Sequence, residues 1–313
     1  MTTRRPAPMT QPRPNRRFFA FLICSVFSAL WIAPAFATPT PNTTTAKLES
    51  AIRLPSPRQR SRSVSYPWEG KLIRGQKVRE SKYIRYVSEY VAGGNFYGTS
   101  QMVQLIDRAA RRVAARLPGA KLSIGELSSA QGGDIGGHRS HESGRDADIG
   151  FYVKRDGRPF AYPTFVPFDG SGRGIGANAD LRFDDARNWE LLAKLVTDPD
   201  ARVQYIFVCR QIRNRLLREA VRRRAPADTI ARAETVMVEP ARGNKHRSHF
   251  HLRIYCSPGD RPMCRDVGPF WAWYPGAIPL DARSAHAGTD PRSDGDGPLE
   301  KLPETLRQSA TYN

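Results

Sequence analysis

The chain has 313 residues, with 49 Lys and Arg against 30 Asp and Glu, and a formal net charge of +19. Such an excess points to anionic partners: nucleic acid, a membrane surface or an anionic cell-wall polymer. Four cysteines without a C-x-x-C pair argue against a cysteine zinc site.

Residues 1–37 read as an export signal. Arg4, Arg5, Arg13, Arg16 and Arg17 form a basic start, Phe18 to Ile32 a short apolar run, and Ala35-Phe36-Ala37 a small-x-small cleavage site. The run is shorter than the roughly 20 residues of a membrane-spanning helix. The mature chain is therefore expected to be periplasmic or secreted, with no stable membrane insertion and no nucleic-acid partner. Removing the five signal arginines from +19 leaves +14, since residues 1–37 hold no Asp or Glu. Residues 38–63, rich in Thr, Pro, Ser and Arg, read as a flexible linker. Residues 279–313, dominated by Asp, Gly, Pro and Ser, read as a disordered tail that includes His286. Residues 64–278 have the size of one domain.

Within that stretch, Ser100 to Leu117 places Val103, Ile106, Ala110, Val113 and Leu117 at three- and four-residue steps, which predicts an amphipathic helix stopped by Pro118-Gly119. Lys121 to Glu126 reads as a short strand. A glycine-rich loop with Gly132, Gly133, Gly136 and Gly137 follows, and Asp148 to Lys154 reads as a strand. Asp184 or Asp185 caps a helix running to about Val196, with Trp189, Leu192 and Val196 inward. Val203 to Val208 is an apolar strand carrying on to Cys209, a buried thiol. Gln211 to Arg224 is a strongly basic helix whose arginines read as a solvated face rather than a ligand groove. Thr235 to Val238 is a candidate strand. In Arg247 to Tyr255, Phe250, Leu252 and Ile254 alternate with His249, His251 and Arg253, a strong strand pattern. Trp271, Trp273 and Tyr274 read as packing residues. The irregular interleaving of strands and helices indicates α+β with a small antiparallel sheet. In an oxidising compartment Cys256 and Cys264 would close a small loop, contributing about 2–3 kcal/mol.

Five of the six histidines fall in two clusters, His138-Arg-Ser-His141 and His246-Arg-Ser-His249-Phe-His251. His249 and His251 leave the same face of a strand, and Asp148 begins another polar strand face. If those strands are neighbours, the three converge, and His141 can join from its loop. Two imidazoles, one carboxylate and an open fourth position make a catalytic zinc arrangement. Spacing alone leaves Asp146 or Asp148 as the carboxylate and any three of the five histidines as ligands. Asp146 reads rather as a support for the loop. Ser140 and Ser248 lack the G-x-S-x-G surroundings of an acyl-transfer nucleophile.

The run H-R-S-H-E-S-G-R-D-A-D from His138 resembles the H-x-S-H-x-x-G-x-D-x-D motif of the penicillin-insensitive murein endopeptidases. The run from His246 to His251 resembles their H-x-x-H-x-H. The resemblance spans roughly residues 64–275. It implies a small antiparallel sheet flanked by helices and Zn2+ held by His141, Asp148 and His251. It also places His249 and His246 around the attacking water, and links His138 with the site and with a second metal whose other ligands the sequence does not reveal. The substrate it implies is a peptide cross-link of peptidoglycan peptide stems, of the D-alanyl–diaminopimelate type. Two other readings compete. The duplicated H-R-S-H is the mark of metal-independent 2H phosphoesterases, which would leave Asp148 and His251 without a role. A non-catalytic wall-binding module would keep the zinc alone.

Overall fold

A computed structural model describes residues 60–240 and 246–274. The expected export signal, the linker up to residue 59, and the tail with His286 lie outside the described residues.

The chain enters through a hairpin, β1 (Arg62–Tyr66) and β2 (Glu69–Ile73). It starts two residues inside the stretch that reads as linker, and Ser63 is fully buried. The hairpin is tied to the end of the domain. Ser63 N donates to Asp260 Oδ2 at 3.0 Å, and Ser65 N donates to Met263 O at 2.7 Å. That distal segment is closed by the expected Cys256–Cys264 disulfide, while Cys209 is a buried free thiol. Then come β3 (Gln76–Lys77), β4 (Ile84–Tyr86) and β5 (Tyr97–Gly98).

Helix α1 (Ser100–Arg116) begins where Thr99 Oγ1 accepts from Met102 N at 3.3 Å, satisfying one of the free donors at a helix start. Its buried stripe is Met102, Leu105, Ile106, Ala109, Ala110 and Val113. Val103 and Leu117, expected inward, are only half-buried. The several alanines leave the helix with a broad apolar arc, so sequence periodicity does not fix its centre. After β6 (Leu122–Ile124) and the glycine loop comes β7 (Asp146–Gly150), then β8 (Val153–Arg155) and β9 (Arg158–Phe160). The single strand expected from Asp148 to Lys154 is thus two. The Asn188 side chain takes both polar groups of Tyr152, accepting from its N at 2.9 Å and donating to its O at 2.8 Å, and draws the chain out of the sheet there.

Next come β10 (Leu181–Phe183), α2 (Asp185–Val196), β11 (Val203–Phe207) and α3 (Arg210–Arg222). Asp184 caps α2 by accepting from Arg187 N, and Trp189, Leu192 and Val196 are buried as expected. Helix α4 (Ala227–Val236) follows; its buried residues are only Thr229, Ala233 and Val236, too small and polar to make an apolar pattern in the sequence. It shortens the expected strand to β12 (Met237–Val238). The last strand is β13 (His249–Ile254).

A six-stranded sheet of order β12-β11-β13-β7-β6-β4 forms the centre. Its inner pairings are antiparallel, and the outer pairs β11·β12 and β4·β6 are parallel. Phe250, Leu252 and Ile254 of β13 and Ile149 of β7 pack with the helices into one core. The strand period of two then sends the alternate residues, His249 and His251, to the other face. Trp271 and Trp273 stack at 5.5 Å, and Trp271 Nε1 donates to Gln204 O, a packing role as expected. Among the described residues no helix is long and apolar enough to cross a membrane.

Candidate metal centre

Register aligns the polar face of the sheet. His249 lies opposite Gly150, His251 opposite both Asp148 and Phe207, and Arg253 opposite Asp146. Two residues recognised as metal candidates from sequence, Asp148 and His251, are therefore cross-strand partners. His141 arrives from the loop. At Gly132 (φ +74) an added Cβ would lie 2.1 Å from Glu142 O and 2.4 Å from Leu72 N, so only glycine lets the loop close against β2. His141 itself takes a left-handed φ of 81° and is fully buried.

Three imidazoles surround one carboxylate oxygen. Asp148 Oδ1 lies 3.4 Å from His251 Nδ1, 3.6 Å from His141 Nε2 and 3.6 Å from His249 Nε2. His138 Nδ1 is 3.8 Å from the other oxygen, Oδ2. These separations are long for hydrogen bonds. They match the spacing of neighbouring ligand atoms in a tetrahedral zinc site, about 3.4 Å for bonds of about 2.0–2.1 Å. Asp148 Oδ1 and His141 Nε2 are buried without a hydrogen-bond partner, and buried polar atoms rarely stay so. His138, His141 and Asp148 each offer an atom within 4.8 Å of the others, a group that could hold a metal ion.

The outer partners orient the rings. Leu127 O can only accept, so at 2.6 Å it fixes the proton on His141 Nδ1 and leaves the Nε2 lone pair toward Asp148. His251 Nε2 meets Asp146 Oδ1 at 2.9 Å, which leaves its Nδ1 toward Asp148. His138 Nε2 meets Glu126 Oε2 at 2.7 Å, and Asn95 Nδ2 donates to Glu126 Oε1 at 2.8 Å. Asp146 thus lies between His251 Nε2 and Arg253 Nε, the latter at 2.7 Å, and its side chain supports strand β13 rather than the loop expected from the sequence. Burial pushes its pKa up, but the Arg253 guanidinium and the His251 hydrogen bond prevail and hold it well below the carboxylate range. Asp148 is likewise held low: burial opposes, and the surrounding imidazoles, His141 and His249 first, outweigh it.

His249 and His246 are set apart from these. Burial drives His249 down to about 4 despite the opposing Asp148 charge, so the ring is neutral at pH 7. Ser248 Oγ sits 3.1 Å from its Nδ1, and the Phe165 ring stacks on it at 4.7 Å and 21°. His246 lies with its ring centre 5.0 Å from that of His249 and 5.6 Å from that of His251. Burial first, then repulsion from those two histidines, puts its pKa well below the usual histidine value.

All five clustered histidines and Asp148 are brought together. Sequence reasoning missed Glu126, Phe165 and Arg253, which hold His138, His249 and Asp146 in place. No local pattern marks them, because each reaches its partner across the fold.

A sequence model of the penicillin-insensitive murein endopeptidase family matches residues 84–272, which contain every one of these side chains. The chain belongs to that family. The penicillin-insensitive murein endopeptidase of Haemophilus influenzae is 31% identical to it over 179 residues, covering 56% of this chain and 56% of the relative's own length. The match thus spans little more than half of that relative. Membership of the murein endopeptidase family bears out the resemblance carried by the two histidine motifs.

Proposed function

We propose that the chain is an exported zinc metallopeptidase that hydrolyses peptide cross-links of peptidoglycan, at the D-alanyl–diaminopimelate bond. One observation carries the reading: His251 Nδ1 and His141 Nε2 lie 3.4 and 3.6 Å from one oxygen of buried Asp148, in a chain of the murein endopeptidase family. His141, Asp148 and His251 would hold the zinc, with His138 beside them as a further donor. When bound, zinc would polarise the scissile carbonyl and acidify water.

The chain's own groups would do the rest. His249, neutral at pH 7, accepts the proton of the attacking water at Nε2, the nitrogen that faces Asp148. The water oxygen bonds to the carbonyl carbon, the C–N bond breaks, and His249 returns the proton to the leaving amine. The products are a carboxylate and an amine. His246, also neutral and beside both rings, would donate its N–H to the developing oxyanion. Residues 1–37 would deliver the protein to the wall.

The test is mass spectrometry of purified sacculus fragments incubated with the mature protein. Cross-linked dimers should fall to monomers, a chelator should stop this, and zinc should restore it. His251→Ala should be inactive; full cleavage by that variant, or in the presence of chelator, overturns the reading.

Phe165 provides a subtler check. Its ring lies flat where Gly125 and Gly150 leave the sheet bare. A Cβ at Gly125 would stand 2.5 Å from Phe165 Cζ and 3.3 Å from Asp148 Cβ. Gly125→Ala is expected to push the ring off His249 and lower cleavage on the order of 10²-fold, as misplacement of about 1 Å does. Zinc content should be unchanged. Unaltered turnover would show that the stacking does not position His249.

A further inference from the structure

The helices cover the face of the sheet opposite the histidines, and among them lies a cavity of about 550 Å³ that the proposed reaction does not use. It is lined by Arg112 and Arg116 of α1, Lys194 of α2, and Arg223 and Arg224 just beyond α3, with Trp189 and Thr229 also in its wall. Its volume falls within the range of small-molecule sites.

Cations at helix C-terminal ends have an ordinary role, offsetting the helix dipole and pairing within the chain. That role does not account for all of this charge. Glu190 is the single carboxylate in the wall, and Arg112 and Arg116 share it at 3.0 and 3.3 Å. Lys194 meets Asp198 at 3.1 Å and Arg223 meets Glu219 at 2.6 Å, but each of those buried carboxylates also serves a second cation, Arg108 or Arg222. The Arg224 side chain has no acidic partner among the described residues. Arg222, Arg223 and Arg224 are exposed, as the solvated-face reading of this run expects, and Arg223 and Arg224 also line the concave space.

We propose that this cavity binds a small anion carrying two or more phosphate groups. Guanidinium forks match phosphate oxygens in pairs, and several cations converging on one concavity favour a ligand of high charge density over a single carboxylate. Free diphosphate and the headgroup of a lipid that carries two phosphates share that chemistry.

The experiment uses the full mature chain. Inorganic pyrophosphate is titrated calorimetrically, and in a second arm the protein is sedimented with phosphatidylcholine vesicles with and without cardiolipin, whose headgroup carries two phosphates. Arg112 and Arg224 are exposed, so the double variant Arg112→Gln/Arg224→Gln should fold, which a melting curve checks. It should bind about tenfold or more weakly, the loss expected from removing one charge-assisted contact or more. A variant of equal charge change elsewhere, Arg79→Gln/Arg158→Gln, should bind as the parent does. Pyrophosphate binding identifies a soluble diphosphate; vesicle binding alone identifies a headgroup; either supports the site when the cavity variant loses it. No binding in both arms, or equal loss in the two double variants, overturns it. Muropeptide cleavage should be the same in both variants, which separates this outcome from that of the catalytic reading.

Discussion

Asp148→Asn is expected to abolish stoichiometric zinc binding and to lower muropeptide cleavage by about a thousandfold or more, the scale of the several kcal/mol that a metal ion supplies to such a reaction. The substitution preserves shape and removes only charge. Asp148 Oδ1 is the point on which His141, His249 and His251 converge, so a neutral amide there leaves neutral imidazoles facing a neutral group. The fold should survive, because without metal the ionised carboxylate is a buried group whose oxygen lacks a hydrogen-bond partner. Asp146→Asn makes the graded comparison. It weakens the anchor of His251 Nε2 and Arg253 but leaves every proposed ligand, and should cost about 10–100-fold in zinc affinity. Metal content after dialysis, read beside cleavage rate, separates the two. Full zinc occupancy in Asp148→Asn would show that the cluster is not the metal grip.

How much of this was legible depends on the range of the interaction. The parity of His249 and His251 along β13 is local, and the strand follows it. The Asp184 cap and the loop closed by Cys256 and Cys264 are local too, and both are present. The pairing of His251 with Asp148 needed the guess that β13 and β7 are neighbours, which the register supports. By contrast, the sheet break at Tyr152 is made by Asn188, 36 residues on, and the His138 partner Glu126 lies outside either motif. The duplicated H-R-S-H is a symmetry of sequence alone. The first copy sits on a glycine loop with each histidine held by a carbonyl or carboxylate, whereas the second leads from His246 into β13 at His249, and burial lowers the pKa of both rings.

Arg145 was given no role by its place in the motif, yet its replacement should have the largest effect on stability. The side chain is 1% exposed and bridges three parts of the chain. Nε donates to Ser63 Oγ at 3.0 Å in β1, Nη1 to Asp266 Oδ1 at 2.7 Å, and Nη2 to Arg265 O at 2.9 Å, while its own carbonyl accepts from Ile254 N at 3.1 Å. Burial pulls the guanidinium pKa down against the Asp266 charge, so the pair stands or falls together. Arg145→Met is expected to destabilise the domain by about 3–5 kcal/mol, because it strands part of the Asp266 charge in the interior. Arg145→Lys keeps the charge but not the fork and should recover only part of the loss. Urea denaturation checks both. In Arg145→Met/Asp266→Asn the loss should be smaller than the sum of the single changes, the sign of direct coupling. Additive effects, or a loss below about 1 kcal/mol for Arg145→Met, would mean that the hairpin and the disulfide loop hold to the sheet without it. Since Arg145 immediately precedes Asp146, the same substitution should also loosen the support of His251, and zinc affinity should fall along with stability rather than independently of it.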